Sequence, residues 1–187
     1  EKNNMTNVLP KKIEIGIVIK QDILENQVRI AYLGIGSNLG NRIKNIEVSK
    51  FKLQLSNIKI LKISSYYESP SWPDPKKPKF INIILKVETI LSPVNLLKIC
   101  NSIENDLGRK RLVKNSPRTC DIDIIDYNKM IIKKKLILPH PLMSSRNFVL
   151  LPLYEIDKTW KHPKTNINIE KLIKSLPIKD LRSIKQI

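Results

Sequence analysis

The stretch Pro117-Arg118-Thr119-Cys120-Asp121-Ile122-Asp123-Ile124-Ile125-Asp126 decides how this chain is read. Its isoleucines alternate with acidic residues, which is the period of a β-strand whose side chains point to opposite faces in turn. Asp121 and Asp123 therefore share one face, and Ile122 and Ile124 occupy the other. Two carboxylates side by side on a rigid strand repel each other unless a cation lies between them. The chain carries a formal net charge of +17, so an acidic pair beside an arginine is not there for solubility. Two readings follow: a divalent metal site with Arg118 aimed at the same anionic ligand, or an edge strand with a solvated outer face. For an isolated Asp-x-Asp the edge strand is the commoner answer, so the neighbouring groups must decide.

Upstream of this strand, Ser92-Pro93 caps a helix over 92–107, which Gly108 ends. Residues 80–89 read as a strand, and 69–78 hold four prolines and Trp72, which excludes regular structure. A further strand is predicted over 58–67. A helix is predicted over 41–55, with apolar residues at Ile43, Ile46, Val48, Phe51 and Leu55. The first strand, 28–35, is broken by Gly34 and Gly36. The order β-α-β-β-α-β predicts an α+β fold, the ferredoxin-like βαββαβ plait, in which an antiparallel sheet carries two helices on one face. Residues 129–138 suggest an added β-ribbon and 168–175 a short terminal helix. Residues 1–28 are set apart as an N-terminal extension containing an alternating segment, 13–19. Residues 29–187 form the main domain.

Length and composition set the outer bounds. A chain of 187 residues, 41% hydrophobic and 27% charged, can bury a core as one domain. No apolar run reaches the ~18 to 20 residues of a membrane span, and 1–27 lack the features of a secretory signal. Two cysteines make neither a disulfide framework nor a zinc site. A cytoplasmic monomer is expected. The positive charge is mostly lysine, scattered among isoleucines and asparagines as a compositional bias would scatter it. Arginine is more telling, because its planar fork grips phosphate and cannot be neutralised. Four of the seven arginines, Arg109, Arg111, Arg118 and Arg146, flank the acidic strand.

Three of the five glycines cluster in Gly34-Ile35-Gly36-Ser37-Asn38-Leu39-Gly40, where close backbone approach to a flat ring or phosphate is possible. The Gly-Lys-Ser/Thr ending of a Walker loop is missing. Several short motifs then follow in order: Gly36-Ser37-Asn38-Leu39, Ser69-Pro70, Phe80-Ile81-Asn82, Glu104 with Gly108-Arg109-x-Arg111, the acidic strand with its Pro117-Arg118 lead, Pro139-His140-Pro141, and Arg146-x-Phe148. Together they resemble the 6-hydroxymethyl-7,8-dihydropterin pyrophosphokinases of the folate pathway, over roughly Arg29 to Trp160. The runs Lys114-Asn115-Ser116-Pro117-Arg118 and Trp160-Lys161-His162-Pro163 are most similar to the alphaproteobacterial branch.

The resemblance implies transfer of the β,γ-pyrophosphoryl group of ATP to the pterin's hydroxymethyl oxygen, with release of AMP. It implies that Asp121 and Asp123 hold two Mg2+ ions, and that Arg109, Arg111, Arg118, His140 and Arg146 are cations facing the phosphates. Arg109 and Arg118 would act on the transferred group. Asn101, Glu104 and Ile124 would complete the ATP site. The pterin would lie against Gly36, Ser69, Pro70, Trp72, Phe80, Asn82, Asp121 and Phe148, with Phe80 and Phe148 stacking on the ring. Loops 68–79 and 109–117 would close over the substrates. Two departures bear on the adenine and lid contacts: Asn115-Ser116 stand where many relatives have tryptophan, and Pro141 stands where a tyrosine can follow the histidine. The rival reading is a basic ferredoxin-like RNA-binding module. It accounts for the charge, but the third strand lacks the aromatic stacking motif such modules use. Nucleic acid is therefore not the expected partner.

Overall fold

Strand β1, Arg29–Ser37, runs inside the sheet with a neighbour on each side. Strand β4, Phe80–Thr89, pairs antiparallel along one side of it, and β5, Asp121–Tyr127, along the other. The computed structural model describes residues 27–109, 116–134 and 136–187. Helix α1, Arg42–Leu55, follows β1, and helix α2, Pro93–Asp106, follows β4. Strands β2, Lys59–Ile63, and β3, Tyr67–Ser69, both pair antiparallel with β4. Strand β8, Lys185–Gln186, pairs with β3. The order β5-β1-β4-β3-β8, with β2 also on β4, contains the predicted plait. The predicted ribbon is present as β6, Ile132–Lys134, against β7, Leu136–Leu138. The segment 13–19 lies outside the described residues.

Local chemistry explains where the elements begin and end. Asn41 caps α1 by accepting the Lys44 amide at 3.1 Å, and Ser92 caps α2 by accepting the Asn95 amide at 3.3 Å. Gly108 follows α2 with φ +80°, a left-handed turn that glycine enters without a Cβ penalty. The strand predicted over 58–67 is split. At the break, the Ser64 amide still donates to the Ile84 carbonyl at 3.0 Å, but Ser64 Oγ accepts the Ile84 amide at 2.9 Å and the Ser65 amide turns to the Glu155 carboxylate, so side chains replace part of the ladder. Helix α1 also turns differently from its predicted face. Ile46, Ser49 and Leu53 are buried, whereas Phe51 and Leu55 are exposed.

Both faces of the sheet are covered. On the first, α1 and α2 bury Ile46, Leu53, Leu96 and Cys100 against Leu33, Ile35, Ile83, Leu85, Ile122 and Ile124. On the second lie α3, Asn147–Ile156, and α5, Ile178–Ser183, which the sequence reading missed, and α4, Ile169–Lys174, which is the short helix predicted over 168–175. Helix α3 is apolar almost throughout and has Pro152 inside it, so neither a clean helical period nor an uninterrupted run announces it. Val149, Leu150, Leu153 and Ile156 nonetheless pack with Tyr32, Ile84, Ile125 and Trp160 as a second core. Burying each such side chain stabilises the fold by roughly 1.5–3 kcal/mol relative to exposure.

Strand β5 feeds both cores by alternation, Ile122 and Ile124 to the first and Ile125 to the second, and it also carries a bulge. Strict alternation would send Asp126 to the helix side with Ile122 and Ile124. The pairing instead passes from Leu33↔Ile124 to Tyr32↔Asp126, which leaves Ile125 as the extra residue and turns Asp126 to the second face. There its carboxylate accepts Trp160 Nε1 at 2.9 Å and the Lys129 amide at 3.1 Å. Trp160→Phe keeps the ring but removes the donor, leaving a buried carboxylate short of a partner. Urea unfolding at pH 7 should show a loss of about 1–3 kcal/mol.

Candidate active site

Helix α3 covers only part of the second face, and the strip it leaves open forms the floor of the site. Gly36 on β1 pairs with Asn82 on β4 and with Asp121 on β5, while Gly34 pairs with Ile84 and Asp123. The central strand thus offers bare backbone between an amide on one side and two carboxylates on the other. A Cβ built on Gly36 would stand 3.0 Å from Asn82 Oδ1 and 3.3 Å from Phe80 Cδ1, so only glycine leaves this floor clear. A cavity of about 240 Å³ opens above it.

The acidic end of the cavity is wrapped by cations. Arg109 NH1 lies 2.6 Å from Asp121 Oδ1 and also pairs with Glu104 Oε1. Arg118 Nε lies 3.3 Å from Asp121 Oδ2 but is buried without a hydrogen-bond partner, a donor ready for an anionic ligand. Asp123 Oδ2 faces Arg146 NH1 at 3.5 Å and His140 Nε2 at 3.8 Å. Burial and the neighbouring Asp121 charge push the Asp123 carboxyl up to about 6, even against Arg146. Two like charges on one strand face lack a full counter-charge. Burial, helped by Arg146, pushes His140 down to about 4. Its Nδ1 accepts the Leu142 amide at 3.2 Å, so Nε2 carries the proton. The histidine expected as a cation is therefore a neutral donor in this arrangement.

The other end is lined by two phenylalanines, bare glycine backbone and a buried amide. Phe80 lies under the Arg118 guanidinium at 5.4 Å, and Phe148 under that of Arg146 at 5.5 Å. Asn82 is buried and gives Nδ2 to Ser69 Oγ at 3.0 Å. Ser69, Pro70 and Trp72 form the rim, and Trp72 is 64% exposed, available to a ligand at the mouth.

Residues that are far apart in the sequence thus line one cavity. Gly36, Ser69, Pro70, Trp72, Phe80 and Asn82 come from its first half; Arg109, Arg118, Asp121, Asp123, His140, Arg146 and Phe148 come from its second. Ile124 does not join them: its side chain is buried in the first core, on the opposite face of β5. Asn101 and Glu104 do not line the cavity either. Glu104 is 2% exposed and sits behind it, accepting the Ile122 amide at 2.7 Å while pairing with Arg109. It holds the acidic strand and an arginine in place. Arg111 lies outside the described residues. Gly34, Ile125 and Val149 also line the cavity and were not singled out as site residues. Gly34 stood inside the quoted glycine cluster, but the other two look like ordinary core residues in sequence.

The fold and the site define a ferredoxin-like enzyme plait with an acid-and-arginine end and an aromatic slot. Residues 32–158 match the family model of 7,8-dihydro-6-hydroxymethylpterin-pyrophosphokinase, and the chain belongs to that family. It is 41% identical over 133 residues to the 2-amino-4-hydroxy-6-hydroxymethyldihydropteridine pyrophosphokinase of Aquifex aeolicus, covering 71% of this chain and 82% of the relative. It is 39% identical over 154 residues to the folic acid synthesis protein of Pneumocystis carinii, covering 82% of this chain but 21% of that protein. The chain thus spans about a fifth of the length of several larger curated relatives. A Plasmodium falciparum HPPK-DHPS crystal structure with pteroate shares the fold, with a TM-score of 0.66 at 16% identity, over 87% of this chain and 47% of that one.

The raised Asp123 makes a prediction about pH. A carboxyl whose folded value lies above its unfolded value binds more protons when folded, so its contribution to stability falls as pH rises from about 4 through 6. Without metal, Asp123→Asn should be more stable than wild type at pH 8. The gain should be on the order of 1 kcal/mol, because the side chain is partly screened by solvent. Denaturant midpoints should converge at pH 4.

Proposed function

We propose that this chain transfers the pyrophosphoryl group of ATP to the hydroxymethyl oxygen of 6-hydroxymethyl-7,8-dihydropterin, releasing AMP. The observation that carries the reading is that one cavity joins an acid-and-arginine end to an aromatic slot floored by glycine and edged by an amide. The pterin ring would lie between Phe80 and Phe148, with Asn82 donating and accepting along its edge. Its hydroxymethyl group would then point towards Asp121. Arg109, Arg118 and Arg146 would hold the triphosphate, with Nε2 of neutral His140 donating a further hydrogen bond. Arg111, Asn101 and Glu104 would serve the nucleotide side, with Glu104 acting through the position of Arg109.

The carboxylates fit magnesium. Asp121 and Asp123 share a face, and no group of three or more His, Cys, Asp or Glu side chains able to hold a metal occurs among the described residues. An ion bound there would draw its remaining ligands from water and phosphate, as Mg2+ does. Two ions would neutralise the triphosphate and orient it. The chain's own work is positioning: the slot sets the hydroxyl in line with the β-phosphorus, and Arg109 and Arg118 follow the charge of the group in transit. Attack forms the new bond to the β-phosphorus and breaks its bond to the oxygen bridging the α-phosphate. The hydroxyl proton passes to solvent.

Residues 29–187 are read as the catalytic unit, acting as a cytoplasmic monomer. No helix among the described residues is long and apolar enough to cross a membrane. The RNA-binding reading is disfavoured because helices cover one face of the sheet and α3 with the cavity occupies the other.

Incubation with ATP, magnesium and the pterin should yield AMP only when the pterin is present. ADP, or AMP without pterin, would overturn the proposal. Arg118→Ala should lower kcat by roughly 10²–10³-fold, the usual cost of removing one donor from developing charge. Asp121→Ala should abolish turnover that depends on magnesium while the circular dichroism spectrum stays that of the folded chain.

A further inference from the structure

Residues 177–187 line no part of the cavity, yet they touch the elements behind both walls of its aromatic end. On one wall stand Arg146 and Phe148, and between them Asn147, 7% exposed, turns its side chain away from the cavity. Its Oδ1 accepts the Phe148 amide at 2.7 Å, one of the donors that the start of a helix leaves free. Its Nδ2 donates to the Asp180 carbonyl and, at 3.2 Å, to Ser183 Oγ, so both of its hydrogens go to α5. Helix α5 buries no side chain fully; the Asn147 amide and the partly buried Leu181 hold it against the second core. On the other wall, β8 pairs with β3, Lys185 opposite Glu68 and Gln186 opposite Tyr67. Gln186 Nε2 donates to Ser65 Oγ at 2.9 Å, and the Ile187 amide to the Tyr66 carbonyl at 2.9 Å. The next residue of β3, Ser69, stands opposite Phe80. One short segment is thus tied at its start to the residue before Phe148 and at its end to the strand beside Phe80.

We propose that residues 177–187 form a strap that sets the separation of Phe80 and Phe148, with Asn147 as the positioning residue through which it acts. The inference rests on the reading of that slot as the pterin site. A flat ring between two phenylalanines needs them about 7–8 Å apart, two contacts of about 3.5–4.0 Å each. A gap of about 0.5–1 Å already forfeits a quarter to a half of such a contact, so a small shift of either wall costs ring affinity. Phe148 lies in the first turn of α3, where backbone bonding is incomplete and helix ends fray. Asn147 closes that turn, and α5 fixes which way Asn147 points. Arg109 and Arg118 stand on neither tied element, so the strap acts on the ring more than on the phosphates. Aspartate at 147 would keep the acceptor for the Phe148 amide but lose both donors, and it would set a carboxylate against the Asp180 carbonyl. Alanine at 183 would remove one acceptor from the strap and alter no residue of the cavity.

The test is calorimetry on the full chain, with two affinities read for each variant. One is the Kd of 6-hydroxymethyl-7,8-dihydropterin with magnesium and saturating α,β-methylene-ATP present; the other is the Kd of that magnesium–nucleotide alone. In Asn147→Asp the pterin Kd should rise about tenfold, the weight of one well-made hydrogen bond, while the nucleotide Kd stays within about twofold. Ser183→Ala should raise the pterin Kd by about threefold, with the same sparing of the nucleotide. A merely structural role would lower the thermal midpoint and leave both affinities of the folded chain unchanged. An unchanged pterin Kd in both variants, or equal weakening of the two ligands, overturns the proposal. If Asn147→Asp does not fold, the pterin Kd of Ser183→Ala decides alone. Failure of the wild-type chain to bind the pterin would instead overturn the reading of the slot, and it would be seen before any variant is compared.

Discussion

Asp121 and Asp123 place two like charges next to each other on a strand whose opposite face is core, and much of the site answers that repulsion. The strand cannot swing the carboxylates apart, because Ile122 and Ile124 anchor it to the helices and Glu104 holds the Ile122 amide from its outer edge. Counter-charge must come to them instead. Arg109 and Arg118 arrive on the segments between α2 and β5, and Arg146 from the connection after the ribbon, which also brings the neutral His140. The three arginines that partly offset the pair are also those that would meet a triphosphate. Electrostatic demand within the protein and recognition of the ligand are thus one arrangement.

The glycines of β1 do the complementary work. Where the acidic strand brings charge, β1 brings an absence of side chains, so the floor between Asn82 and Asp121 is bare backbone. Helix α3 then fixes how much of that face is filled and how much stays open. Its Val149 seals one border of the cavity while Phe148, the residue before, turns into it. The bulge at Ile125 matters for the same reason: three residues after Asp123 it turns a second kind of carboxylate, the buried Asp126, to that same face, where it fastens Trp160 beneath the C-terminal elements.

Much of this was legible in the sequence because period and capping are local properties. The strand at 80–89, the Ser92 cap, the Gly108 stop and the shared face of Asp121 and Asp123 each depend on residues a few positions apart. What failed did so where distant partners intervene. Phe51 and Leu55 are apolar on a true helix but point to solvent, since the sheet beneath α1 accepts Ile46, Ser49 and Leu53. The long second strand breaks at Ser64 because Ile84 and Glu155 offer better bonds there. Ile124 lies where its strand parity puts it, away from the cavity. Asn147 stood unnamed inside Arg146-x-Phe148, because nothing near it in sequence shows what its amide touches.

The amino-acid sequence by itself determined the order of strands and helices, the acidic face of β5 and the concentration of arginine around it. Alternation, caps and composition are written in neighbouring residues, so they can be read without coordinates. Only the tertiary structure decided that Asp121 meets Arg109, that His140 is neutral, that Glu104 lies behind the site and that α3 leaves part of the second face open. Each of these depends on burial and on partners brought from elsewhere in the chain. Hydrogen bonding, desolvation and charge pairing act through space, at distances of a few ångströms that sequence separation does not encode.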